Sequence, residues 1–478
     1  MEFIMQNHSN IPEENPKQSF YGLFKQALSG DNQQDLTKGS IGKAAFLLSV
    51  PMVLEMMMES VFAITDIFFV SALGANAIAV VGLTEAVITL LYAIAIGLGM
   101  AVTATVARRV GENNIDGANQ VAAQTIWLGF GVALLVGIPG SMFATDILQL
   151  MGATPEVALQ GEGYTAIMLG GCVSILFLFL FNAIFRGAGD AKVAMKSLWL
   201  ASGINIVLDP ILIFGWGPFP EMGLTGAAVA TTIGRSIGVL YQLYHLFSVS
   251  GKIQLFANKL KLDLEVIWGL LKVSVGGVLQ FLISTASWVF LVRIVSHFGS
   301  DAVAGYTIAV RVMMFAILPA WGLSNAATTL VGQNLGANQA SRAERSVWVI
   351  TKYNLIFMLA VAVIFYLFST NIILLFSNDT QVILFGSQCL EYIAYGYGFF
   401  AIGMTLVQAF NGAGDTMTPT AINFVCYWLL QIPIAYWLAF NMDMGPAGVF
   451  SAISIASLFI AIAAVILFRK GRWKTIQV

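Results

Sequence analysis

Asn205 and Asp209 stand four residues apart inside a long apolar run, a spacing that puts both side chains on one face of a helix. Pro210 follows directly, and a proline within a helix leaves the carbonyl four residues back, here Ile206, without its usual donor. A carboxylate, an amide oxygen and a freed carbonyl together suit a hard cation, because sodium-like ions favour oxygen ligands for the same reason that calcium does. With no metal ion bound, a desolvated carboxylate favours its neutral form and would carry a proton instead. The plainer alternative is that Asp209 caps a helix break or pairs with Arg235.

Other charges share these apolar surroundings. Glu55, Glu59 and Asp66 lie in one run and Glu85 in the next, with Arg235, Arg293 and Arg311 as basic residues further on. Inside a bilayer an Asp or Arg costs on the order of 3 kcal/mol at a helix centre, so each invites an explanation. Asp66 either joins Asp209 in a cation site or lies wet at an outer interface. Glu55 and Glu59 can face a vestibule and receive no role, and the arginines read as counter-ions or interface anchors rather than ligands. Met52, Met56, Met57 and Met58 read as packing residues, with an adaptable ligand lining as the alternative.

The elements that must position these residues are membrane helices. Only 10% of the 478 residues are charged and 58% are hydrophobic, with a mean hydropathy of +0.82, whereas soluble domains carry roughly 25% charged residues. A spanning helix needs about 20 mostly apolar residues. Windows of that length give twelve spans near 44–70, 77–101, 121–143, 161–185, 193–216, 224–247, 268–297, 302–325, 347–369, 389–410, 418–440 and 446–468. The fold class is therefore all-α integral membrane. Cys172, Cys389 and Cys426 sit within apolar runs and read as reduced, without disulfide or zinc spacing. Met1 to Gly39 is mostly polar, with no cleavable signal. It reads as a disordered cytosolic arm, with a short surface helix near Phe20 to Leu28 as the alternative.

Lys and Arg set the direction. The connections 1–2, 3–4, 5–6, 9–10 and 11–12 carry none, while 20 of the 23 basic residues fall on the opposite side or on the arm. By the positive-inside rule both termini are cytoplasmic.

The two halves match at an offset of 225 residues. Gly74 pairs with Gly299, Gly97 with Gly322, Thr103 with Thr328, Gly111 with Gly336, and Gly187-Ala188-Gly189-Asp190 with Gly412-Ala413-Gly414-Asp415. Six helices separate the copies, so both halves share one orientation, a parallel repeat of the kind found in transporters. The expected organisation is an arm at 1–39, a first lobe at 40–250, a linker at 251–267, a second lobe at 268–470 and a tail at 471–478. Asp66 maps onto Leu291 and Asp209 onto Ile434. Acids present in only one copy of a duplicated fold point to a function rather than to a folding requirement.

Several function classes lack their signatures. There is no Gly-x-x-x-x-Gly-Lys-Ser/Thr phosphate loop, and the three histidines form no His-Glu-x-x-His. No basic patch with interleaved aromatics suggests nucleic acid. A transporter driven by an ion gradient, with no cofactor and no enzymatic activity, is expected.

The chain resembles the multidrug and toxic compound extrusion (MATE) transporters from about Gly42 to Arg469. The resemblance rests on Pro51 with Asp66 fifteen residues later, on Gly111-Glu112 mirrored by Gly336, and on the paired loops Arg186-Gly-Ala-Gly-Asp190 and Asn411-Gly-Ala-Gly-Asp415. It rests also on Asn205-x-x-x-Asp209-Pro-Ile-Leu-Ile-Phe-Gly215, followed by Gly226-Ala-Ala-Val-Ala-Thr231. The resemblance implies a V-shaped pair of six-helix lobes in the cell membrane. It further implies a monomer that exports organic cations in exchange for sodium or protons. It places a cation site at Asp66, Asn182, Asn205, Asp209 and Thr231. One branch instead uses carboxylates in helices 7 and 10, where this chain has Ser284 and Phe400, and Glu391 lies too far toward the outer end to replace them. The similarity is thus to the DinF-like branch, coupled through the first lobe. The working expectation is mutual exclusion: cation or proton neutralises Asp66 and Asp209, helix 1 bends at Pro51, and drug is released. Such coupling requires an affinity difference of order 1–3 kcal/mol. The competing readings are a flippase for a lipid-linked saccharide, which calls for more inward basic residues, an exporter of one dedicated metabolite, and a passive channel.

Overall fold

A computed structural model describes residues 20–29, 35–248, 251–255 and 261–476. Most of the expected arm, part of the expected linker and the last two residues of the tail lie outside the described residues. Within the arm, Phe20–Ser29 is helical rather than disordered. Leu23, Phe24, Ala27 and Leu28 recur at helical spacing, and Ala27 is buried.

Among the described residues, twelve membrane-length helices follow. In the first half these are α1 (Ile41–Ser71), α2 (Ala75–Gly111), α3 (Ile115–Met142), α4 (Pro155–Ala188, interrupted at Gly171), α5 (Ala191–Phe214) and α6 (Leu224–Phe247). The second half holds α7 (Leu264–Val295), α8 (Ser300–Gly336), α9 (Ala340–Leu374), α10 (Thr380–Gly412), α11 (Met417–Asn441, partly wound as π-helix) and α12 (Pro446–Arg469). Eleven are long and apolar enough to cross a bilayer. The other, α6, equals α5 in length but intersperses Thr225, Thr231, Thr232, Arg235 and Gln242. Helix starts are fixed by side-chain caps that satisfy otherwise orphaned N–H groups. Asn114 accepts from Gly117 N (2.9 Å), Asp263 from Glu265 N (3.0 Å) and Asp379 from Gln381 N (2.8 Å).

Several helices run past the spans of the hydropathy reading, α2 and α8 by the most. Helices α2 and α8 continue past the expected ends near 101 and 325 to Gly111 and Gly336. Their last turns contain Thr105, Arg108, Thr329 and Gln333, which a hydropathy window rejects, yet all four are buried. They are covered by protein where the halves meet.

The repeat is expressed in three dimensions. Thr103 Oγ1 donates to Ala183 O (3.1 Å) and its mate Thr328 donates to Gln408 O (3.0 Å), so α2 packs on α4 as α8 packs on α10. Each half forms a six-helix lobe, and the lobes join through α1 with α8, α2 with α7, and α2 with α8. Their closest approach is reciprocal. A Cβ at Gly111 would lie 2.0 Å from Gln333 O, and one at Gly336 would lie 2.2 Å from Arg108 O. Residues 108 and 333 are themselves repeat mates. Without large hydrophobic gain between helices in lipid, small residues permit this approach and the packing it brings. Across the same seam Thr329 Oγ1 donates to Arg186 O (2.9 Å) and Gln333 Nε2 to Gly187 O (2.9 Å). These contacts all lie in the second halves of α2 and α8. The fold is the expected V, joined at the end that carries both termini and open toward the other.

Candidate cation site and the lobe cavities

The first-lobe site begins with the packing of α6 on α5. A Cβ at Gly234 would lie 2.6 Å from Ala201 O, and one at Gly226 would lie 2.5 Å from Leu212 O. Glycine at both positions lets the helices approach until Thr231 faces Asn205. Asn205 Nδ2 then donates to Asp209 Oδ1 (3.2 Å) and to Thr231 Oγ1 (3.1 Å). All three residues are buried, Asp209 at 0% exposure. The expected i, i+4 pairing of Asn205 and Asp209 on one face is present.

The site is incompletely bonded. Asn205 Oδ1 and Asp209 Oδ2 are buried and have no hydrogen-bond partner. Buried polar atoms are normally paired, and an orphan calls for an explanation such as an ion or a water. Beside them is a cavity of about 10 Å³, lined by Glu59, Phe62, Asn205, Thr231 and Arg235 among others, close to the room one water-sized particle needs. The oxygens fit a single hard cation, or a proton on the carboxylate.

Asp66 lies on α1, half-buried, and the charges of Asp209, Glu85 and Arg235 are within its electrostatic reach. It makes no hydrogen bond to the Asn205–Asp209–Thr231 group. Arg235 donates to Tyr92 Oη (3.0 Å), lies over the Phe62 ring at 5.4 Å, and feels Glu59 and Asp66. Arg235 makes no ion pair with Asp209, and Glu59 belongs to its neighbourhood.

Asn182 belongs to a different group. Its Nδ2 donates to Glu55 Oε1 (2.9 Å), while its Oδ1 accepts from Ser197 Oγ (3.2 Å) and from Gln242 Nε2. Glu55, fully buried, also pairs with Arg186 through Nη2 and through Nε at 3.3 Å. The structure therefore gathers Asn205, Asp209 and Thr231, sets Asp66 within reach, and holds Asn182 one layer away. The Glu55–Arg186 pair escaped the sequence reading, although its signal was present. At the 225-residue offset Glu55 becomes Gln280 and Arg186 becomes Asn411, both charges changing together. Those amides bond each other, Gln280 Nε2 to Asn411 Oδ1 at 3.0 Å.

Pro51 is buried inside α1, which runs unbroken through it. In the second lobe, Ser284 and Phe400 line a cavity of about 650 Å³, and Glu391 accepts from Ser369 Oγ (2.6 Å). A smaller cavity of about 60 Å³ lies at the junction, between Arg186, Trp321 and Asn325.

Comparison with known proteins agrees with this geometry. The MatE family model matches residues 51–211 and again 277–437, the two lobes in turn. A probable multidrug resistance protein NorM of Thermotoga maritima is 27% identical over 459 residues, covering 95% of this chain and 97% of its own. An FAD transporter of Shewanella oneidensis is 27% identical over 433 residues, covering 90% and 95%. Among solved structures, an outward-facing multidrug resistance MATE family transporter superposes with a TM-score of 0.86 at 27% identity, covering 92% of this chain and 98% of that one. Twelve helices in two lobes joined at one end, a buried oxygen cluster within the first lobe, and two matches to one family model lead to the same place: this chain belongs to the MATE family of multi-span membrane transporters and is not an enzyme.

Proposed function

We propose that the protein is a secondary antiporter that expels small organic compounds in exchange for a cation bound at Asn205, Asp209 and Thr231, with Asp66 supplying further negative charge. The observation that carries this reading is the pair of buried, unpartnered oxygens, Asn205 Oδ1 and Asp209 Oδ2. A sodium ion or a proton relieves them. Asn182 takes part indirectly, by holding Glu55 and Arg186. Because α1 carries Asp66, Glu59 and Glu55 on one helix, neutralising the site changes the force on α1, and Pro51 is where that helix is missing a backbone bond. The distribution of basic residues supports cytoplasmic termini, and the multidrug-resistance and multidrug-export relatives support export as the direction. Organic cations are the substrate class suited to a lobe that carries Asp66 and Glu85 within electrostatic reach of each other. An exporter of one dedicated metabolite is the second reading, favoured by a relative that is an FAD transporter. No cofactor is needed, and a single chain contains the whole site.

The test is export of ethidium from proteoliposomes under a sodium gradient or a pH gradient imposed separately, for the wild type, Asp66→Asn and Asp209→Asn. Gradient-driven export lost in both variants supports the reading and names the ion. Undiminished export in Asp209→Asn would sink it.

A further inference from the structure

The second-lobe cavity has the opposite character to the first-lobe site. Its volume, about 650 Å³, falls within the range of small-molecule sites, which are mostly apolar with a few well-placed polar groups. Trp288, Trp321, Phe400 and Tyr427 give it aromatic walls, and among the described residues Arg311 is the only charged one that lines it. Arg311 is exposed to this space and makes no hydrogen bond or ion pair among the described residues. Glu85 is within electrostatic reach of it but not bonded to it. An arginine at membrane depth is costly, and those present normally have a partner or a task.

A free planar guanidinium therefore stands among aromatic faces. A guanidinium presents a fork of donors that matches carboxylate or phosphate oxygens, and aromatic walls take a flat ring by stacking.

We infer that this cavity binds a planar aromatic compound carrying an anionic group, the anion on Arg311 and the ring between Trp288, Trp321 and Phe400. Small enough ligands fit wholly within 650 Å³. This adds a second substrate class to the organic cations proposed above. Its binding test needs no ion gradient, so either reading can fail alone.

The experiment uses full-length protein in nanodiscs and two probes sharing one ring, 4-methylumbelliferyl phosphate and the neutral 4-methylumbelliferyl glucoside. Binding is read by equilibrium dialysis and by quenching of tryptophan fluorescence. The phosphate is expected to bind at least about tenfold more tightly than the glucoside, the difference of one good charged contact. Arg311→Gln should erase that preference, and Arg311→Lys should keep part of it while losing the forked geometry. An unchanged preference in Arg311→Gln, or no preference in the wild type, overturns the inference. So does ethidium displacing the phosphate from this cavity at lower concentration than the phosphate itself requires.

Discussion

Glu55 and Arg186 form a buried ion pair between α1 and α4 at the positions that the internal repeat maps onto Gln280 and Asn411, which are joined instead by an amide hydrogen bond. One lobe solves the same packing problem with charges and the other without. The charged version connects the helix carrying Asp66 to the seam between the lobes, since the Arg186 carbonyl accepts from Thr329 of the second lobe.

Removing one member of a buried pair leaves the other uncompensated, at a cost of about 3–5 kcal/mol. Glu55→Gln alone should lower the thermal midpoint of the purified protein strongly. The double change Glu55→Gln with Arg186→Asn copies the second lobe and should recover most of that loss while transport stays impaired. If the double variant is no more stable than the single one, the pairing does not have the role assigned to it.

Thr231→Ala deletes one oxygen of the proposed site and nothing else that is bonded there. About a tenfold rise in the concentration of coupling ion needed for half-maximal export is expected, roughly 1.4 kcal/mol. The maximal rate should change little. A variant indistinguishable from wild type across an ion titration would remove Thr231 from the site.

The lobe seam makes a steric prediction. Any side chain at Gly111 meets Gln333 O, and any at Gly336 meets Arg108 O, and overpacking costs about 1–3 kcal/mol. Gly111→Val and Gly336→Val should each disfavour the arrangement described here, with similar effects because the contacts are reciprocal. Spin labels on the open ends of α2 and α8 should show their distance distribution move away from the wild-type one. Unaltered distances in both variants would count against the seam as the junction that defines this state.

Glu85 on α2 and Arg311 on α8 are within electrostatic reach of each other without bonding. A transport step that pairs them would lose that attraction when one charge is reversed, so either reversal should slow ethidium export several-fold. Glu85→Arg combined with Arg311→Glu should restore part of the rate. Equal defects in the single and double variants would show that the two charges act separately.

The helices and the two-lobe plan were legible because both are written in long stretches, the first in apolar runs and the second in spaced matches such as Gly111 with Gly336. Asn205 and Asp209 were legible because one helical turn decides that they meet. Contacts between distant helices were not. Asn182 carries the right donors and acceptors for the cation site, but the depth of α4 against α1 gives it to Glu55, and no spacing within one helix states that depth. The ends of α2 and α8 were hidden for a related reason, since Arg108 and Gln333 look like water-facing residues until the opposite lobe covers them.

The chain ends cross over. Arg342 of the second lobe holds the carbonyls of Leu36, Lys38 and Gly39 that lead into the first (3.2, 2.9 and 2.8 Å), and Arg108 of the first lobe holds the Ile476 carbonyl of the tail leaving the second. The segment entering the first lobe and the tail leaving the second are thus each also fastened to the opposite lobe, so the connections outside the membrane helices bridge the same joint that the glycine seam makes inside them.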